Sequence, residues 1–215
     1  MKIIFLTEKI EFPDCNLADE EGVLAIGGDL SAVRLTLAYE SGIFPWFNEG
    51  EPIIWWCPPQ RMVLFPDELR FSKSMKVLFK RNAFKVTYNT CFAEVIKNCA
   101  QIKRFGQADT WITDEMQAAY LNLHKKGIAH SVEVWKDEEL VGGLYGIDLK
   151  DKKVFCGESM FSKVSNASKY AFISLVQKLK NEQYKLVDCQ VYNTHLDSLG
   201  AREIARSEFL KILTS

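Results

Sequence analysis

The sequence predicts an α+β protein in two parts, a small N-terminal α/β domain over 1–66 and a larger C-terminal domain over 67–215. Three observations carry this expectation. The first part is rich in Gly, Pro and Trp and holds one well-capped helical stretch. The second alternates between strand-like period-2 and helix-like period-3.6 patterning. Hydrophobic residues at 47% and charged residues at 26% of 215 suit a globular chain large enough to bury a real core.

Ser31 is placed to cap a helix over 32–40, because its hydroxyl can accept from first-turn amides, and Ser41-Gly42 ends it. The segments 43–47 and 53–59 carry Pro45, Pro58 and Pro59, each of which holds its predecessor extended. The N-terminal domain ends near Pro66. Ser72 or Ser74 opens a short basic helix to about Arg81, and 84–88 reads as a strand. Asn89 or Thr90 caps a helix to about Cys99. Thr113 caps the next, with Asp114 and Glu115 at its positive end and Lys125, Lys126 and Gly127 closing it. Strands over 131–135 and 140–148 flank a turn at Asp137-Glu138. A turn at Lys150-Asp151-Lys152 leads to a third strand, 154–157. A helix over 167–181, a strand over 186–191 and a helix over 208–213 capped by Ser207 complete the chain. There is no internal repeat.

Charge is unevenly spread. Up to Glu68 there are four basic residues against twelve acidic ones, and beyond it 23 against 16. Arg70, Lys73, Lys76, Lys80, Arg81 and Lys85 follow one another with no Asp or Glu between them. Lys73, Lys76 and Lys80 are spaced three and four apart, so on a helix they form one stripe, with Arg81 and Lys85 just beyond. Such a run suits an anionic partner, and a structured nucleic acid is the first candidate. A solvated helix face is the plain alternative.

No apolar run approaches the ~18 residues of a membrane helix, and the opening hexapeptide lacks the features of a signal peptide. The six cysteines form no C-x-x-C pair and there are three histidines, so a zinc site of usual spacing is not expected. The scattered thiols suit a reduced, cytoplasmic protein.

From 84 onward the order is β-α-α-β-β-β-α-β-α. Three antiparallel strands, a helix and a strand parallel to the third resemble the acyltransferase fold of the GCN5-related N-acetyltransferases. That class holds acetyl-CoA through R/Q-x-x-G-x-G/A ahead of the helix. Residues 159–167 hold Ser-Met-Phe-Ser-Lys-Val-Ser-Asn-Ala there, with no glycine, which argues against CoA.

Seven short motifs then become specific together. They are Gly42-Ile43-Phe44-Pro45-Trp46-Phe47, Trp55-Trp56-Cys57-Pro58, Thr110-Trp111-Ile112-Thr113, Gly157-Glu158-Ser159-Met160-Phe161-Ser162, Asn166-Ala167-Ser168-Lys169, Asp188-Cys189-Gln190 and 195–201, His-Leu-Asp-Ser-Leu-Gly-Ala. In this order they resemble the bacterial leucyl/phenylalanyl-tRNA–protein transferases, over about 22–210. The resemblance implies an enzyme that takes Leu, Phe or Met from aminoacyl-tRNA. It attaches the residue to the N-terminal Lys or Arg of an acceptor protein and marks that protein for N-degron degradation. It implies no metal, CoA or other cofactor.

It also implies that Asp188, Gln190 and Glu158 are the catalytic positions. Asp188 and Gln190 are two apart on a strand and are expected to share a face. Cys156 and Cys189, which flank these positions, are expected to face away from Glu158 and Gln190. Trp46 and Trp111 help line the aminoacyl pocket. Typical members have two Phe one turn apart on the helix after Asn166; here Leu175 and Leu179 stand there. Asp109 replaces a usual glycine. The basic stripe is expected to hold tRNA phosphates. The competing readings are a non-catalytic adaptor for tRNA or basic N-termini and a CoA-dependent acetyltransferase.

Overall fold

The structure is a computed structural model that describes residues 4–102 and 110–215; Asp109 lies outside them. The N-terminal part builds a four-stranded sheet. Its strands are β1 (Phe5–Leu6), β2 (Val23–Gly27), β3 (Phe44–Pro45) and β4 (Ile54–Trp56), in the order β1-β2-β4-β3. Helix α1 (Ala32–Glu40) begins as expected, with the Ser31 hydroxyl accepting from the Arg34 amide. A seven-stranded sheet forms the rest of the frame, in the order β11-β5-β10-β9-β8-β7-β6. Its strands are β5 (Gln60–Leu64), β6 (Lys85–Tyr88), β7 (Ala129–Lys136), β8 (Glu139–Leu149), β9 (Val154–Ser162), β10 (Leu186–Gln190) and β11 (Arg202–Ala205). Strands β7, β8 and β9 are antiparallel and β10 runs parallel to β9, the topology that the acyltransferase resemblance implies. Strand β5, from before Pro66, sits between β10 and β11 in this sheet.

Helices cover both faces. Helices α3 (Phe92–Gln101) and α4 (Asp114–Lys125) pack on one face with α1 and α7 (Arg206–Thr214). The other face carries α2 (Lys73–Lys80) and α5 (Ala167–Asn181). Successive strand residues feed opposite cores: Leu144 joins the α5 side and Tyr145 the α3 side. Gly142 lets the start of α5 approach, since a Cβ there would lie 2.6 Å from the Ala167 Cβ. Ser72 caps α2 and Thr113 caps α4, both by accepting from the amide three residues on.

Several expectations need correction. Helix α3 starts at Phe92 without a side-chain cap, because both proposed caps are used elsewhere. Asn89 Oδ1 accepts from the Ser131 amide, and Thr90 donates to the buried Glu133. Strand β9 runs five residues beyond the expected 157, paired with β8 to Ser162. Strand β11 was not expected. Its ladder with β5 ends at Ala205, and Arg206 continues it by donating to the Pro59 carbonyl. Helix α7 therefore begins at Arg206, and Ser207 lies inside it rather than capping it. A short helix, α6 (Thr194–Asp197), is capped by Asn193.

Candidate active site

Strands β9 and β10 are paired only from Val154–Cys156 against Leu186–Asp188. Beyond that point β9 continues with β8, while β10 continues with β5. A cavity of about 570 Å³ opens at this parting. One wall is apolar: Trp46 after β3, Trp111 ahead of α4, Leu144 on β8, and Phe172 and Leu175 on α5. Glu158 and Gln190 supply polar groups on the two parted strands.

The Gln190 Nε2 donates to Glu158 Oε1 at 2.8 Å, so the two side chains bridge the gap. The Tyr120 hydroxyl of α4 donates to Glu158 Oε2 at 2.9 Å and is itself hydrogen-bonded to the Tyr39 hydroxyl of α1. Burial pushes the Glu158 carboxyl up to about 7, and the charge of Asp188 adds to this. Hydrogen bonds from Tyr39, Tyr120 and Gln190 pull the other way, because they favour the charged form. Burial also raises both phenols well above their ordinary range, and the Glu158 charge reinforces it. They are therefore donors to Glu158, not acids that lose their protons near neutrality.

Asp188 lies apart from the cavity. Its carboxylate is wholly buried and paired with Arg61 of β5: Nε donates to Oδ1 at 2.8 Å and Nη2 to Oδ2 at 2.6 Å. It also accepts from the Gln190 amide at 2.9 Å. The expected shared face of Asp188 and Gln190 does not form. Opposite Val63 and Met62, the β10 residues are Asp188 and Gln190, so Cys189 is an extra, bulged residue. Gln190 takes a left-handed conformation at φ 64°, which sends its side chain to the cavity while Asp188 stays on the Arg61 side. The same bulge brings Cys189 to the cavity, against expectation, whereas Cys156 is buried away from it. Burial, followed by the Asp188 charge, raises both thiols, so neither is a ready nucleophile.

Trp46, Trp111 and Leu175 all line the cavity. Leu179 does not; it is buried in the core between α5 and the sheet. Phe172 replaces it on the wall, three residues before Leu175. An amphipathic reading of α5 gave no way to separate Phe172 from the other core positions. His195 of α6 also lines the cavity. Burial and nearby Lys169 lower its pKa, so its ring is neutral near pH 7.

Lys73, Lys76 and Lys80 stand exposed on the outer side of α2, with Arg81 and Lys85 exposed beyond it. Met75 is buried beneath them. Among the described residues none of the five is in an ion pair. Helix α2 is tied to the cavity wall through α5: the rings of Phe79 and Tyr170 stack at 3.9 Å, and Tyr170 is two residues from Phe172. Among the described residues no group of three or more His, Cys, Asp or Glu side chains is placed to hold a metal, and no helix is long and apolar enough to cross a membrane.

A family model described as leucyl/phenylalanyl-tRNA protein transferase matches residues 63–214, and one described as the N-terminal domain of that transferase matches 28–59. A curated relative named leucyl/phenylalanyl-tRNA–protein transferase, from Flavobacterium johnsoniae, is 68% identical over 211 residues, covering 98% of this chain and 99% of its own. Relatives with that name from Flavobacterium psychrophilum and Syntrophobacter fumaroxidans are 62% and 51% identical. They cover 97% and 99% of this chain and 98% and 90% of their own. Among solved structures, L-PGS from Bacillus licheniformis is similar at a TM-score of 0.44 and 12% identity, over 79% of this chain and 54% of that one. A GCN5-related N-acetyltransferase-like protein from Streptococcus suis is similar at 0.37 and 13%, over 81% and 65%.

Proposed function

Since this chain belongs to the leucyl/phenylalanyl-tRNA–protein transferase family, we propose that the parting of β9 and β10 is where an aminoacyl ester of tRNA meets the N-terminal amine of an acceptor protein. The chain is an aminoacyltransferase that moves Leu or Phe from aminoacyl-tRNA to a protein N-terminus. The acceptor carries N-terminal Lys or Arg, Met is a further donor, and the product is marked for N-degron degradation in the cytoplasm. The observation that carries this reading is the Gln190–Glu158 bridge beside the apolar wall of the cavity.

The chemistry asks little of a base. An α-amine has a reference pKa of ~7.7–8.0, so roughly a tenth is neutral at pH 7. Its nitrogen attacks the ester carbonyl carbon, the C–N bond forms, and the bond to the ribose oxygen breaks. The amine's proton finally goes to that oxygen. Gln190 and Tyr120 each take one position on a Glu158 oxygen, and a carboxylate oxygen has room for a second donor. Glu158 therefore receives the incoming ammonium and, with its pKa at about 7, takes a proton from it. The Gln190 carbonyl oxygen accepts another N–H and aims the lone pair. Positioning supplies most of the acceleration.

Trp46, Trp111, Phe172 and Leu175 take the aminoacyl side chain. Lys73, Lys76, Lys80, Arg81 and Lys85 contact tRNA phosphates as point charges, which read shape rather than base. The acidic N-terminal part lies on the side where the basic acceptor arrives.

The test uses purified protein, tRNA carrying labelled Phe or Leu, and acceptors that begin with Arg, Lys, Ala or an acetylated residue. Label should pass to the Arg and Lys acceptors only. Complex formation without transfer would mean an adaptor, and labelling only from acetyl-CoA would mean an acetyltransferase.

A further inference from the structure

Gln190 is a polar residue held in backbone geometry that costs it energy. A non-glycine residue in the left-handed region is strained and persists only where its surroundings fix it. The fixing contact is the hydrogen bond from the Gln190 amide to Asp188 Oδ1. Asp188 in turn does not touch the cavity, and both its oxygens are engaged by the Arg61 fork.

Arg61 is itself locked from four directions. Its Nη1 donates to the Gly42 carbonyl at 3.2 Å. Its guanidinium lies between the rings of Phe44 and Phe209, 4.7 Å and 4.6 Å from their centroids. It is 2% exposed, and its strand is hydrogen-bonded to β10 on one side and β11 on the other. The planar fork thus joins the N-terminal part, α7 and the bulge of β10.

We propose that Arg61 is a positioning residue of the transfer reaction: through its bidentate pair with Asp188, which holds the Gln190 backbone N–H, it sets the left-handed turn that carries the Gln190 side-chain carboxamide to Glu158. Asp188 then moves no proton. It is the intermediate of a clamp, and its oxygens are occupied by Arg61 and the Gln190 amide. This rests on the Glu158–Gln190 reading above and extends it by one residue outside the cavity. Lysine cannot replace the fork, because an ammonium is a point charge that cannot bind both carboxylate oxygens in a plane.

The clamp has a readout that general destabilisation lacks. Gln190 is one of the donors that favour ionised Glu158, which is faced also by Tyr120 of α4, Tyr39 of α1 and the charge of Asp188. If the clamp slips, that donor is lost and the ionisation of Glu158 moves to higher pH.

The experiment measures kcat, KM for Phe-tRNA and the pH midpoint of kcat/KM in the full chain. It compares wild type, Arg61→Lys, Asp188→Asn, Gln190→Ala, and each of the first two combined with Gln190→Ala. Arg61→Lys should lower kcat about tenfold, leave KM within about twofold and move the midpoint to higher pH. In the Gln190→Ala background the same substitution should cost less than about twofold and leave the midpoint in place, since its target is gone. Asp188→Asn should behave likewise, and it decides the matter alone if Arg61→Lys does not fold. Losses that multiply equally in both backgrounds would overturn the proposal in favour of a fold-wide role. Abolition of the residual activity by Asp188→Asn in Gln190→Ala would overturn it in favour of a proton step at Asp188. Wild-type rates in Gln190→Ala alone would instead overturn the underlying reading of the cavity.

Discussion

Replacing Glu158 by Gln preserves the shape of the side chain and removes its charge. In the wild type the carboxylate is held by Gln190 at 2.8 Å and Tyr120 at 2.9 Å, and under the proposal above it receives the ammonium. A hydrogen bond to a charged group contributes about 1.5–3 kcal/mol, so losing it costs roughly ten- to hundredfold in kcat/KM at 1.36 kcal/mol per tenfold. The pH profile should change as well. With its pKa at about 7, Glu158 is ionised to roughly a tenth at pH 6, a half at pH 7 and nine-tenths at pH 8. The acceptor amine loses its proton over the next unit. Because Glu158 takes its proton from the ammonium, below pH 7 the logarithm of kcat/KM should rise with a slope near one in the wild type and level off near pH 7. Glu158→Gln should rise with the same slope but level off only at pH ~8, where the amine loses its proton unaided. Initial rates of label transfer from Phe-tRNA between pH 5.5 and 8.5 measure both. A variant within twofold of wild type that levels off at the same pH would refute the assignment of Glu158 as the amine's partner.

The same substitution should stabilise the fold at alkaline pH. The folded-state pKa of Glu158 is raised from 4.5 to about 7, so folding favours the protonated form and stability is lost as pH rises between those values. Removing the charge recovers at most about 3 kcal/mol at pH 8 and almost nothing at pH 4, which thermal unfolding at the two pH values checks. Leu175→Phe should change the ratio of Phe to Leu transfer, by about tenfold or less, and retain activity, whereas Leu179→Ala should cost about 2–5 kcal/mol of stability and leave the ratio alone. Donor competition and denaturant titration separate the two; a ratio change at Leu179 only would place the aminoacyl pocket elsewhere. Replacing Lys76 and Lys80 by Gln should flatten the log-log salt dependence of tRNA binding by about one to two, from ~0.7–0.9 per phosphate contact. An unchanged slope would make the stripe a solvated face.

Local signals in this chain were legible wherever one side chain decides the backbone. Ser31, Ser72 and Thr113 each turn a hydroxyl onto a first-turn amide, and the helices they open start where the sequence places them. Asn89 and Thr90 have the same chemistry, yet their polar atoms are drawn across the sheet to Ser131 and Glu133, a tertiary demand that local pattern does not carry. Strand β11 escaped notice because its four residues, Arg202–Ala205, have mixed polarity and pair only through the distant β5. At the site, the motif order pointed to Asp188, Gln190 and Glu158, and the fold brings the last two together from separate strands. The faces could not be read. Period-2 alternation holds for a regular strand, and one extra residue at Cys189 reverses it. Arg61 was invisible for a related reason, since its partner is 127 positions away. Its sign was that it is the one charged residue between Glu51 and Asp67.

The central claim is that the aminoacyl ester reacts at the Glu158–Gln190 bridge with its side chain on the apolar wall. The most direct measurement is a crystal structure of the protein with a Phe-adenosine analogue in which a non-hydrolysable amide replaces the ester. The account predicts the Phe ring among Trp46, Trp111, Phe172 and Leu175, and the reacting carbonyl on the side of the cavity where Glu158 and Gln190 can hold the attacking nitrogen within hydrogen-bond reach. An analogue bound with its carbonyl away from both residues, or with its ring outside the cavity, would contradict it.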